Sequence, residues 1–350
     1  MSFKDILSQN HITESFVNTI SKKRLSHAYI LTGQKGTGKS LFAREFTKAL
    51  FCKNNKGDSC DICQNCMRIG NNNHPDIHWI FPDKKDKFIK IEYIRDMQHH
   101  VNLSPVELEY KVFIIKEAEK MNEESSNCLL KTLEEPTPNT IIILIANFLA
   151  SIKETIKSRC QIFRFRPIPT NVIKEQLINK YDIKVKEAEW VSRFSSGSLG
   201  NAIELAQDKF YKKNNVIING ISKLKLEDNL AFAEDLVESY LNTGDSLEEK
   251  RQALKHILNC ILQYYRDLLI IKVKDTNTST DNRNIYLFNT GNKEALQYQS
   301  RFFTQEQIAN IIDEILLSIK YIDYNLNINL LIENIFTRIA VMKSTVTLSK

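Results

Sequence analysis

Residues Gly33-Gln34-Lys35-Gly36-Thr37-Gly38-Lys39-Ser40 fit the spacing G-x-x-x-x-G-K-[ST]. Glycines so placed let successive backbone N–H groups curl round phosphate oxygens. A helix starting at the lysine adds the partial positive charge of its N-terminus. In that chemistry Gly33, Gly36, Thr37 and Gly38 form the cradle, Lys39 reaches the β- and γ-phosphates, and the Ser40 hydroxyl ligates Mg²⁺. A degenerate descendant of such a loop, no longer binding nucleotide, is the competing reading.

Four of the seven cysteines, Cys52, Cys60, Cys63 and Cys66, crowd into fifteen positions. In a reducing compartment such a cluster points to metal rather than disulfides. Two adjacent C-x-x-C turns supply four thiolates, which suits a closed tetrahedral zinc site with no open position for catalysis. The zinc would be structural, its binding energy counted as folding energy. His74 and His78 lie close by in sequence but are not needed as ligands; His74 is expected in the turn before Pro75 and His78 on a strand. Cys128 and Cys260 read as core residues on helices.

A loop of the Gly33–Ser40 kind is normally served by a second strand ending in Asp, which holds the metal. The best candidate, Val112-Phe113-Ile114-Ile115, ends instead in Lys116-Glu117. An ammonium offers donors and no acceptor, so it cannot bind the ion. Lys116 either lies against the phosphates as a substitute charge or points away. In the second a water replaces the Asp, and the expectation for the chain is weak or absent hydrolysis.

The elements that must hold these groups can be read in outline. Ala28–Thr32, Ile77–Phe81, Val112–Ile115, Ile141–Ala146 and Gln161–Phe165 have strand character, with helical stretches between them, including Ser40–Leu50 and Glu92–Val101. That alternation predicts an α/β domain with a mostly parallel sheet. Pro167–Thr170 reads as a linker. The stretch 171–208 is helical and short, with a break at Ser195–Gly200. Beyond it no strand is evident. Ser246 with Glu249 and Thr304 with Gln307 form capping boxes. Apolar stripes of helical period follow, at Leu254, Ile257, Leu258, Ile261, Leu262, Tyr265, Leu268 and Leu269, and at Ile308, Ile311, Ile312, Ile315, Leu316 and Ile319. Lys274–Asn284 is polar and reads as a loop. The expected domains are 1–166 (α/β, with a metal module at about 52–66), 167–208 (small helical unit) and 209–350 (all helical).

The chain has 350 residues, 42% hydrophobic and 26% charged, with 10 Gly and 7 Pro, which excludes disordered and collagen-like classes. Its longest apolar run, Ile141–Ala146, is far below the ~20 residues of a membrane span. No secretory signal pattern is visible, and the expected location is cytoplasmic. The net charge of +6 is compatible with nucleic acid and decides nothing alone.

Together the ordered motifs resemble the clamp-loader branch of the AAA+ ATPases, as in bacterial DNA polymerase III. The order is the phosphate loop, the four cysteines, the Lys111–Met121 strand and turn, Asn127-Cys128-Leu129-Leu130-Lys131-Thr132-Leu133-Glu134-Glu135-Pro136, the Ile141 strand, and Ser158-Arg159-Cys160. The resemblance implies an AAA+ P-loop domain, a helical lid and an all-α collar. It also implies a heteropentamer with motor subunits and a delta subunit, which loads a sliding clamp onto primer–template DNA held through its phosphates. It implies that Arg159 acts in trans as an arginine finger on a neighbour's ATP, and that Glu117 and Asn147 face the chain's own nucleotide. Bacterial clamp-loader subunits carry a similar cysteine module.

The lid-like hexapeptide Gly197–Ala202 holds no Arg, and β-strand Val112–Ile115 lacks the metal carboxylate. Both departures favour a stator over an ATP-hydrolysing motor of the gamma/tau type, which stays the alternative. A zinc-dependent DNA-binding protein is a third. Arg95, His99 and His100 on the 92–101 helix are a basic face whose DNA role the sequence does not assign.

Overall fold

Seven successive residues, Thr140–Ala146, are buried without interruption, and only a central strand of a covered parallel sheet buries both faces in this way. The computed structural model describes residues 2–22, 24–55, 57–83, 88–223, 227–241, 246–276, 287–289, 293–322 and 328–347. They form two compact units, Met1–Glu204 and Leu205–Lys350.

In the first unit the strands are β1 (Ala28–Thr32), β2 (Ile77–Ile80), β3 (Lys111–Lys116), β4 (Thr140–Ala146) and β5 (Gln161–Arg164). They form one sheet in the order β2-β3-β4-β1-β5, all pairs parallel. All five expected strands are present, within a residue or so of their expected ends. The helices of this unit are α1 (Asn10–Ser21), α2 (Lys39–Phe51), α3 (Gln64–Gly70), α4 (Ile91–Val101), α5 (Glu123–Glu134), α6 (Glu154–Lys157), α7 (Thr170–Tyr181) and α8 (Val185–Phe194), with α9 (Leu199–Gln207) at the junction of the units.

Side chains alternate across the pleat with period two. Tyr29, Leu31, Val112, Ile114, Ile141, Ile143 and Ile145 face one layer, with Phe16 of α1 and Phe42 and Phe46 of α2. Ala28, Ile30, Phe113, Ile115, Ile142, Leu144 and Ala146 face the other, with Ile94 and Met97 of α4 and Leu129 and Leu133 of α5. The first layer is aromatic: Phe16 meets Phe42 and Phe46 edge-on, at centroid distances of 4.8 and 4.6 Å. Such pairs add about 1 kcal/mol each beyond area burial. Because α2 is clamped there, the loop before it is held at the C-terminal edge of the sheet, where parallel α/β sheets place ligands.

The second unit is helical: α10 (Phe210–Lys223), α11 (Asn229–Leu236), α12 (Leu247–Thr276), α13 (Lys293–Ser300), α14 (Gln305–Tyr321) and α15 (Ile328–Thr347). Both expected capping boxes are present. Ser246 and Glu249 bond each other's backbone N–H, each at 3.2 Å, and Thr304 with Gln307 does the same at 3.1 and 2.8 Å. The α12 stripe is core from Leu254 to Leu268. Two expectations need correction. Leu316 is 42% exposed rather than part of the α14 core, because the buried face is narrower than the apolar stripe. Lys274–Thr276, expected in a loop, are instead the end of α12; positions 277–284 lie outside the described residues. Among the described residues no helix is long and apolar enough to cross a membrane.

Candidate functional site

The phosphate loop leaves β1 and enters α2, as the motif requires. Its backbone is left-handed at Gly33 and Gly36 (φ +143° and +80°). A Cβ on Gly33 would stand 2.5 Å from the Phe165 carbonyl oxygen, and one on Gly36 2.2 Å from Ser198 Oγ, so a side chain fits at neither. Gly38 is the residue before α2, and the Thr37 hydroxyl donates to the Gln34 carbonyl at 2.8 Å. Lys39 is buried. Its Nζ donates to the carbonyls of Gly33 and Gln34 and, at 3.1 Å, to Asn147 Oδ1. Burial brings the Lys39 pKa down to about 8, against the opposing pull of Glu119 and Glu117. Ser40 is half-buried in the first turn of α2.

The lid-like hexapeptide meets this loop through backbone. Gly200 N–H donates to the Gly36 carbonyl at 3.1 Å, and the Ser198 hydroxyl accepts from Asn201 N–H at 3.1 Å, starting α9. Small residues let the two backbones touch where a longer side chain would hold them apart.

The residues after β3 are disposed in three directions. Lys116 turns to the outer strand, its Nζ 5.9 Å above the Phe81 ring, so it points away from the loop. Glu117 has a left-handed backbone and pairs with Lys120 at 2.6 Å. Glu119 turns inward: its Oε1 accepts from the backbone and side-chain amides of Asn147, at 3.1 and 2.7 Å. The structure thus brings Lys39, Asn147 and Glu119 into one chain of contacts. Glu119 was not singled out from the sequence, because nothing marks it until the turn at Glu117 is known.

The metal module lies beyond the other end of α2. The sulfurs of Cys52, Cys60, Cys63 and Cys66 all lie within 4.8 Å of one another. A zinc ion with bonds of about 2.3 Å in tetrahedral geometry separates its sulfurs by about 3.8 Å, so the four thiols fit that ion. Cys63 N–H points to Cys60 Sγ at 3.3 Å and Cys66 N–H to Cys63 Sγ at 3.5 Å. The Cys63 N–H lowers the Cys60 pKa. At Cys63, burial pushes the thiol up, but the N–H groups of Cys66 and Lys53 and neighbouring thiols outweigh it. Burial raises Cys66.

The module is seated on α2 by an ion cluster in which Lys48 and Glu45 are buried and Asp61 is exposed. Lys48 pairs with Glu45 at 2.7 Å and with Asp61; the Ser59 hydroxyl donates to Glu45 at 3.0 Å. Burial opposes the Lys48 charge, yet Asp61 and Glu45 together hold its pKa above the ordinary value. His74 lies in the turn and His78 on β2, stacked between His100 and Phe113 at 5.1 and 4.8 Å; neither joins the cysteines. Arg95 and His99 are exposed on α4.

Arg159 lies between α6 and β5. Its guanidinium pairs with Glu134 at 2.9 Å and donates to the Thr155 carbonyl and the Ser158 hydroxyl, at 2.9 and 3.2 Å. Burial pushes the adjacent Cys160 thiol up to about 12, so it is no nucleophile at neutral pH. Strands β1 and β5 run parallel with Tyr29 opposite Gln161 and Thr32 opposite Arg164. Arg159 therefore precedes the start of this strand pair, whereas the phosphate loop follows its end. Four residues of strand, about 13 Å at ~3.3 Å per residue, separate the two levels.

Among known proteins, a sequence model of the family described as "DNA polymerase III, delta subunit" matches residues 8–169. DNA polymerase III subunit delta' of Bacillus subtilis (strain 168) is 31% identical over 332 residues, covering 93% of this chain and 94% of that protein. Subunit tau of the same organism is 30% identical over 292 residues, covering 77% of this chain but 50% of tau. A solved structure of a DNA polymerase III gamma subunit-related protein from Thermotoga maritima superposes with TM-score 0.41 at 19% identity, covering 95% of this chain and 99% of that one. Sheet order and phosphate loop define the class, an α/β P-loop domain of the AAA+ type followed by a helical C-terminal region. Within that class, the chain belongs to the delta-prime family of DNA polymerase III clamp-loader subunits.

Proposed function

We propose that this clamp-loader subunit acts as a stator that completes a neighbouring motor subunit's ATP site with Arg159. The observation that carries the reading is the level of Arg159 in the sheet. It stands at the edge opposite its own phosphate loop and is tied there by Glu134 and Thr155, so a phosphate within its reach belongs to another molecule. A planar guanidinium at a γ-phosphate stabilises transition-state charge, by about 10³–10⁵ in rate in GTPase systems. The absence of a carboxylate at the end of β3, with Lys116 turned to Phe81, supports weak or absent hydrolysis by the chain itself. The Gly33–Ser40 loop and Asn147 would hold the chain's own Mg-nucleotide, with Glu117 beside it at the position of an attacking water, and the four cysteines, kept reduced in the cytoplasm, would hold a structural zinc.

In this reading residues 167–208 serve as a lid and 209–350 as a collar. The partners are motor subunits and a delta subunit in a heteropentamer, a sliding clamp, and primer–template DNA bound through its phosphates. The intact phosphate loop favours one other reading, a gamma/tau-like motor. ATP turnover by the isolated chain separates them: the stator turns over no ATP above background, with or without primed DNA, while DNA-stimulated turnover by the chain alone would establish the motor.

A further inference from the structure

Glu119 carries an unspent charge at the phosphate loop. Its Oε1 is taken up by the two amides of Asn147, but its Oε2 is buried and accepts no hydrogen bond among the described residues. An ionised oxygen in that position costs free energy until a cation or donor reaches it. The other side chains at the end of β3 are already committed, Lys116 over Phe81 and Glu117 to Lys120. Lys39 is held by two loop carbonyls and by Asn147 Oδ1. Phosphates entering the loop would meet the Glu119 charge across Asn147, and like charges repel unless a divalent cation lies between them.

We propose that Glu119, rather than a residue at the strand end, supplies the carboxylate toward a nucleotide-bound magnesium, so that the loop keeps Mg-nucleotide as a fixed structural ligand. The proposal rests on the reading that this loop binds nucleotide. Magnesium retains several of its waters and needs only one or two carboxylates beside the phosphates, so one buried oxygen and the Ser40 hydroxyl are a sufficient protein contribution. Glu117, the residue that would polarise an attacking water, is paired with Lys120, which fits retention without turnover.

The test is ATP affinity of the full chain by calorimetry, with added magnesium and in magnesium-free buffer, for wild type and Glu119→Gln. A chelator is avoided because it would strip the cysteine site. For wild type, magnesium should tighten ATP by about tenfold or more, on the scale of one charge–charge interaction near a protein surface. Glu119→Gln should lose that gain and, with the repulsion removed, bind metal-free ATP more tightly than wild type. A variant that keeps the wild-type magnesium gain would overturn the proposal. Equal weakening in both buffers would also overturn it, making Glu119 only a support for Asn147. Wild type that binds no ATP in either buffer would remove the nucleotide reading itself. Should Glu119→Gln misfold by circular dichroism, Glu119→Asp replaces it: a smaller magnesium gain with unchanged metal-free affinity is then expected, and a full gain overturns the proposal.

Discussion

The N-terminal end of α2 gathers its groups from distant parts of the chain. Lys39 meets Asn147 after β4, Glu119 lies after β3, and Gly36 touches Ser198 and Gly200 at α9. The C-terminal end takes all four thiols from Cys52–Cys66 and is anchored to the same helix by Glu45 and Lys48. One end is therefore a site that the tertiary fold must assemble, and the other a cluster of neighbouring thiols that a metal would assemble locally. The first should depend on the sheet and tolerate loss of the cysteine-bound metal; the second should depend on that metal and tolerate changes in the loop.

Metal removal is the sharpest way to break that contrast. Structural zinc contributes on the order of 10 kcal/mol to the folding of its module. Chelation followed by return of magnesium, or Cys63→Ser, should therefore open residues 52–66 to limited proteolysis and lower the melting temperature, with one zinc per chain found by atomic absorption beforehand. ATP affinity should change by less than about threefold, near 0.6 kcal/mol; collapse of both together would show that the two ends are one unit.

Next in size is Gly36→Ala. Its Cβ would stand 2.2 Å from Ser198 Oγ on a backbone at φ +80°, and such strain costs about 1–3 kcal/mol. Urea unfolding should register that loss while zinc content stays unchanged. The smallest effect concerns pH. Because burial sets Lys39 at about 8, its charge is present below that pH and lost above it. ATP affinity should hold steady from pH 6 to 7 and fall by up to about tenfold per unit above 8, or 1.4 kcal/mol. An affinity flat to pH 9.5 would mean that Lys39 does not carry phosphate binding.

The same contrast explains what the sequence disclosed. Contiguous signals were legible: the glycine spacing, the cysteine spacing, the uniformly apolar Ile141–Ala146 run and both capping boxes, because each depends on neighbours within a few residues. Contacts set by folding were not. Glu119 reaches Asn147 only because the backbone turns left-handed at Glu117, and the Glu134 partner of Arg159 comes from the end of another helix. Lys116 was ambiguous for the same reason, since its direction is decided by Phe81 across the sheet. Leu316 shows the limit of periodicity, which marks a stripe without giving the width of the face that packs.

The trans role of Arg159 is best tested in a reconstituted loader with motor subunits, clamp and primed DNA, comparing clamp-stimulated ATP turnover with wild type and Arg159→Ala. The account predicts a clear loss of turnover with assembly intact by gel filtration, its size limited by the motor sites whose arginine comes from another subunit. Unchanged turnover in an intact assembly would contradict it.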